Sequence, residues 1–129
     1  MPKIEVSNGE LLDRWSVLVI KANQLSRDGQ LATIQASMQE IAQEVDALLP
    51  QPGVSSLLDA LTKINEAIWQ GMDELEALET DEDAGVAYAR VARMVTRWNR
   101  ERALCKREID RLTESRLREV KGYFSGEDT

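Results

Sequence analysis

An all-α fold, an antiparallel bundle of about four helices with a long C-terminal helix, is what this sequence predicts, and three observations carry the prediction. Apolar residues recur at alternating steps of three and four along four segments. Stretches rich in proline, glycine or acidic residues separate those segments. Sustained period-two alternation is missing, and only Lys3 to Val6 and Tyr123-Phe124 could form short extended pieces.

The first helix is expected over about 8–26. Val6 precedes Ser7, Glu10 follows three residues after Ser7, and Leu11 comes next: a capping box with a staple pairing Val6 and Leu11. Its apolar seam is Leu11, Trp15, Leu18, Ala22 and Leu25, closed by Arg27-Asp28-Gly29. The second helix, about 29–49, carries Leu31, Ile34, Met38, Ile41, Val45 and Leu48 until Pro50-Gln51-Pro52-Gly53 stops it. The third, about 56–79, has Ser56 and Asp59 as a cap pair, and Leu57, Leu61, Ile64, Ile68, Leu75 and Leu78 as its seam, with Gly71 and Met72 sharing one turn. Thr80-Asp81-Glu82-Asp83 then supplies capping oxygens and negative charge, which a helix N-terminus attracts. The fourth helix is expected over about 83–121, with Tyr88, Val91, Val95, Trp98, Arg102, Cys105, Ile109 and Leu112 on one face, making a rod of roughly 55 Å before Gly122. Residues 124–129 read as a disordered tail.

The helices form coiled-coil-like hairpins within one domain, 1–129. The excess length of the fourth helix needs a cover. A homodimer in which the long hairpins pair would supply it, as would a bent fourth helix wrapping one monomer.

Composition narrows the function. The chain has 129 residues, 43% apolar and 30% charged, enough for a real core in one domain. Histidine is absent, which removes Ser-His-Asp and Cys-His triads, histidine bases and zinc sites built on imidazole. The single Cys105 cannot make an internal disulfide, no signal-peptide pattern is present, and runs such as Val17 to Ile20 fall far below the roughly 18 residues of a membrane span. A cytoplasmic protein with no cofactor, no metal and no membrane span is expected.

The net charge of -7 conceals a split. Residues 1–85 hold 5 basic and 16 acidic residues, whereas 86–121 hold 11 basic and 5 acidic. Arg90, Arg93, Arg97 and Arg100 form a stripe facing away from the core, and Asp73, Glu76, Glu79 and Glu82 form an acidic line. Opposite charges between the hairpin arms, or across a dimer, would keep the helices soluble and set their register. The functional readings of the basic stripe are an anion-binding or nucleic-acid-binding face and an acidic protein partner. Nucleic acid is not expected, because the stripe lacks interleaved exposed aromatics and acidic neighbours would repel phosphates.

Arg102 occupies a seam slot that other turns fill with apolar or small residues, so its guanidinium is paired inside the bundle or reaches out to solvent. Asn99, Lys106 and Arg107 surround it; Glu10, Asp13 and Lys21 stripe the first helix; Asn65, Glu66 and Trp69 share a turn of the third. One account is a buried ion pair of Arg102 with Glu66 or Asp13 that fixes helix register. The other is a small anionic ligand, a carboxylate or phosphate, clamped by Arg102 and Lys106, oriented by Asn65 and Asn99 and stacked on Trp69. A histidine-free helical mutase of the chorismate-mutase type, or a magnesium-dependent nucleotide pyrophosphatase using Glu76xxGlu79 or Glu10xxAsp13, is physically possible, but neither spacing demands it. Cys105 reads as a small core residue, and Trp15, Trp69 and Trp98 as core or interface anchors.

Val6-Ser7-Asn8-Gly9-Glu10-Leu11-Leu12-Asp13 with Ile20-Lys21, then Ile64 to Trp69, then Trp98-Asn99 through Arg102, Lys106 to Ile109 and Glu119 to Tyr123 make up an ordered set of blocks over nearly the whole chain. The set resembles an uncharacterised bacterial family of small helical proteins, a domain of unknown function found alone or alongside proteins of surface-polysaccharide and lipopolysaccharide assembly. Its first-helix block normally reads more evenly aliphatic and lysine-rich, where Arg14-Trp15-Ser16 stands here. The resemblance implies no catalytic residues. It does imply recurring polar positions at Glu10, Asp13, Lys21, Asn65, Glu66, Asn99, Arg102, Lys106, Arg107 and Glu108, which include the cluster drawn from helical spacing. The expectation is a non-catalytic, dimeric interaction module serving glycan assembly, with a small enzyme or sensor for an anionic metabolite, such as a sugar nucleotide, as the alternative.

Overall fold

The computed structural model describes residues 4–25 and 29–117, which form four helices: α1 (Asn8–Gln24), α2 (Leu31–Leu48), α3 (Val54–Leu78) and α4 (Gly85–Leu112). No strand occurs among the described residues, and none of their helices is long and apolar enough to cross a membrane. The fold is the all-α bundle that the apolar periodicity predicts.

The α3 and α4 helices make the most extensive pair, α1 packs against both of them, and α2 packs on α1. Gly71 lets α3 and α4 approach closely, since a Cβ there would stand 2.6 Å from Val95 Cγ2. The core draws on every helix: Leu12, Val45, Val54, Leu61, Cys105 and Ile109 form one buried cluster, with Leu11, Trp15, Ile41 and Leu57 among the side chains packed around it.

The seams of α2, α3 and α4 follow the predicted steps, with Ile34, Val45, Leu61, Val95, Cys105 and Ile109 buried. On α1 the predicted seam is displaced. Its buried row is Gly9, Leu12, Asp13, Ser16 and Ile20, while Leu11, Trp15 and Leu18 flank it half-buried. Three neighbouring helices cover α1, so its innermost row includes polar residues that hydrophobic periodicity passes over. Trp98, expected as an anchor, is 38% exposed, and Tyr88 is 40% exposed.

Helix ends depart from expectation in three places. The α3 helix begins at Val54 rather than 56, behind Gly53 in the left-handed region (φ 85°), and Ser56 and Asp59 do not cap it. The α4 helix begins at Gly85, because Asp81 accepts from the Asp83 and Ala84 amides and makes a separate turn of 81–84. The α4 helix ends at Leu112 instead of about 121 and is about 42 Å long at 1.5 Å per residue. Glu114 adopts a left-handed φ of 48°, the Ser115 amide reaches back to the Asp110 carbonyl (2.9 Å) and the Glu114 amide to that of Arg111 (3.3 Å). This is a Schellman closure built without glycine. The tail of 124–129, the stretch 118–121 and Tyr123-Phe124 lie outside the described residues.

Candidate functional site

The site grows from the first turn of α1, whose leading amides have no partners inside the helix. Ser7 Oγ accepts from the Glu10 amide (3.0 Å), completing the predicted cap. The Asn8 amide donates to Ser115 Oγ (3.0 Å), and the Gly9 amide to Asp110 Oδ1 (2.7 Å). Asp110 is 1% exposed, and its carboxylate is favoured at the positive end of α1. Gly9 has no side chain because the Lys106 carbonyl lies where a Cβ would stand.

Arg102, Lys106 and Asp110 follow at steps of four on α4 and therefore share one face. They meet α1 as a ladder. Lys106 Nζ donates to Glu10 Oε2 at 2.6 Å and lies 4.0 Å from Asp13 Oδ2. Arg102 grips Asp13 with two bonds, Nε to Oδ1 at 2.8 Å and Nη2 to Oδ2 at 2.6 Å. From α3, Asn65 Nδ2 donates to Asp13 Oδ1 (2.9 Å) and to Ser16 Oγ (2.7 Å), and the Ser16 hydroxyl donates to the Asp13 carbonyl. The Asp13 carboxylate, 3% exposed, thus receives two cationic groups and an amide. Among the described residues, no buried side-chain polar atom lacks a hydrogen-bond partner.

Of the residues singled out in the sequence, Glu10, Asp13, Asn65, Arg102 and Lys106 are thus brought together. Arg102 pairs with Asp13 and not with Glu66, which is exposed and faces a different groove, with Trp15, Val19 and Lys63. Asn99 donates to the Val95 carbonyl of its own helix (3.2 Å). Lys21 sits in the last turn of α1, and Arg107 lies about 100° around α4 from Lys106. Trp69 lines an open groove of about 360 Å³ with Val17, Ile20, Met72, Asp73 and Arg102.

Four members of the site escaped sequence reasoning: Gly9, Ser16, Asp110 and Ser115, the last lying beyond the end of α4 where helical spacing gives no signal. Asp110 was legible as the next step of the 102, 106 row, and Ser16 as one turn beyond Asp13. Nothing in sequence marks Gly9 as the point of backbone contact.

Burial pushes the Cys105 thiol up to about 11, with the negative charges of Asp13, Glu101 and Glu108 adding to the effect, and its Sγ lies 3.3 Å from the Leu57 carbonyl. It is a core thiol and not an activated nucleophile. The Glu10xxAsp13 carboxylates are occupied by Lys106 and Arg102, and Glu76 and Glu79 stand exposed.

The outer surface of the hairpin is different. Arg90, Arg93, Arg97 and Arg100 are exposed, as are Asp73, Glu76, Glu79 and Glu82, and among the described residues no ion pair joins the two stripes. The expected pairing between hairpin arms is not made within one chain, because the arginines stand on the far side of α4 from α3.

Fold and site together define an all-helical bundle whose first helix is latched to the last by a buried ladder of matched acids and bases. The chain belongs to the DUF6165 family, a family of unknown function, which matches it over residues 2–129. No curated protein and no solved structure matches it.

Proposed function

We propose that this protein is a non-catalytic helical interaction module, cytoplasmic and homodimeric, that serves as an accessory in cell-surface glycan synthesis. The glycan setting is the one implied by the family resemblance of its sequence blocks. One observation carries the interaction reading: the polar residues of the interior satisfy one another, whereas Arg93, Arg97 and Arg100 on the outer ridge of α4 engage nothing among the described residues and have Leu104 (52% exposed) beside them. A cationic ridge with an apolar side chain at its edge fits an acidic protein surface. The test is capture of glycan-assembly proteins by the immobilised chain, followed by titration of the purified partner. Arg93→Glu/Arg97→Glu should retain the wild-type melting temperature and lose at least tenfold in affinity at 50 mM salt. Unchanged affinity would overturn the reading.

A second reading rests on the groove beside the ladder, onto which Arg102, Asn65 and Trp69 open. There the chain is a sensor or small enzyme for an anionic metabolite such as a sugar nucleotide, with Glu10, Asp13, Lys21, Asn65, Glu66, Trp69, Asn99, Arg102, Lys106 and Arg107 as the wider site. Thermal shifts with a sugar-nucleotide panel test it. Stabilisation that survives in a Trp69→Ala variant would place the ligand elsewhere.

A further inference from the structure

The α1 helix covers one side of the α3–α4 hairpin, and helical phase identifies what lies on the other. On α4, Arg102 and Lys106 face α1 while Val95 and Cys105 face α3. A quarter turn further from α1 come Arg90, Met94 and Glu101, all exposed. On α3, Asn65 faces α1 and Gly71 faces α4; the next row round is Ala60, Ala67 and Glu74. The Gly71–Val95 approach sets the antiparallel register, so Ala67 stands about level with Trp98, and Glu74 about level with Arg90.

This side therefore presents a ridge, Met94 and Trp98, beside a shallow notch at Ala67 and Gly71. It also carries an acid, Glu74, and a base, Arg90, at the same height, neither in an ion pair among the described residues. We infer that the uncovered side of the α3–α4 hairpin is a self-association surface and that its occupant is a second copy of this chain. A two-fold axis running along the hairpin lays each α4 over the other copy's α3 at the same level. The Trp98 ridge of one copy then enters the Ala67 notch of the other, and Arg90 meets Glu74 twice. The face complements itself in shape and charge, as an isologous interface must. Its size is adequate: a helix pair about 37 Å long and about 20 Å wide offers roughly 750 Å² per copy, close to the ~800 Å² per partner of a stable interface.

This inference specifies the homodimer of the reading above, and it leaves Arg93 at the outer ridge. Sedimentation equilibrium of the full chain tests it. Wild type should sediment at twice the chain mass at micromolar concentration. Arg90→Glu and Glu74→Arg should each weaken association by roughly tenfold at low salt, and the Arg90→Glu/Glu74→Arg double variant should recover most of that loss, since the swapped pair reforms across the axis. Ala67→Glu, which fills the notch on a half-buried surface, should yield monomer with unchanged helical circular dichroism. A wild-type chain that stays monomeric, or a dimer indifferent to Ala67→Glu and to the charge swap, would overturn the inference. A monomer that still binds its protein partner through Arg93 and Arg97 would overturn this surface and leave the interaction reading intact.

Discussion

Replacing Arg102 by Met removes one half of the bidentate grip on Asp13 while keeping much of the aliphatic stem. The Arg102 side chain is 31% exposed and that of Asp13 3%, so the damage falls on the acid, which stays buried with its principal counter-charge gone. Breaking a buried pair in this way costs about 3–5 kcal/mol. Two groups soften the loss, the Asn65 amide donating at 2.9 Å and the Lys106 charge 4.0 Å away, which places the expectation at the low end, about 3 kcal/mol. For a chain of this size that is a large share of a total stability of about 5–15 kcal/mol. Urea unfolding followed by tryptophan fluorescence, at several protein concentrations so that dissociation is not read as unfolding, measures it. In the Asp13→Asn/Arg102→Met double variant an amide replaces the stranded carboxylate and can still accept from Asn65, so more than half of the lost stability should return. An Arg102→Met variant within about 0.5 kcal/mol of wild type would refute the assignment of Arg102 as the neutraliser of a buried acid.

Other parts of the ladder make separate demands. Gly9→Ala should destabilise by about 3 kcal/mol in the same assay, because the new methyl group forces α1 away from the Lys106 carbonyl. Asp110→Ala strips the Gly9 amide of its acceptor and should cost about 2 kcal/mol, with hydrogen exchange at Gly9 accelerating before that of the α3 core. Ser7→Ala should cost about 1 kcal/mol as a lost N-cap. The Cys105 thiol is raised to about 11 in the fold from its ordinary 9.0, so the unfolded chain releases its proton first. Its contribution to stability is whole below pH 9 and declines as pH rises from about 9 towards 11. The difference in urea midpoint between wild type and Cys105→Ala should therefore shift against wild type over that interval, and a constant difference would contradict it.

The parts of the fold that sequence disclosed are those where burial and apolarity coincide. The α2, α3 and α4 helices each hide an apolar row, and Arg102 stood out because it interrupts one. The α1 helix was misphased because Asp13 and Ser16 are as deeply buried as Leu12, and a polar side chain announces its burial only through partners on other helices. Helical spacing makes Asp13 and Arg102 candidates for pairing, but it does not choose between Asp13 and Glu66 as the acid. That choice depends on how α1 and α3 are rotated against α4. The end of α4 was placed too late because Glu114 fills a left-handed slot where glycine is the usual signal, and the start of α3 because Gly53 closes the turn without a side-chain cap.

The latch at the start of α1 also bears on how the molecule is assembled in time. The partners of the Asn8 and Gly9 amides stand 107 and 101 positions later in the chain. The α3–α4 hairpin needs only its short 79–84 connection to form, whereas α1 is synthesised first and cannot complete its opening turn until Asp110 and Ser115 have emerged. Docking of α1 is then a late, entropically costly closure of nearly the whole chain. Substitutions along the ladder should therefore speed unfolding far more than they slow folding.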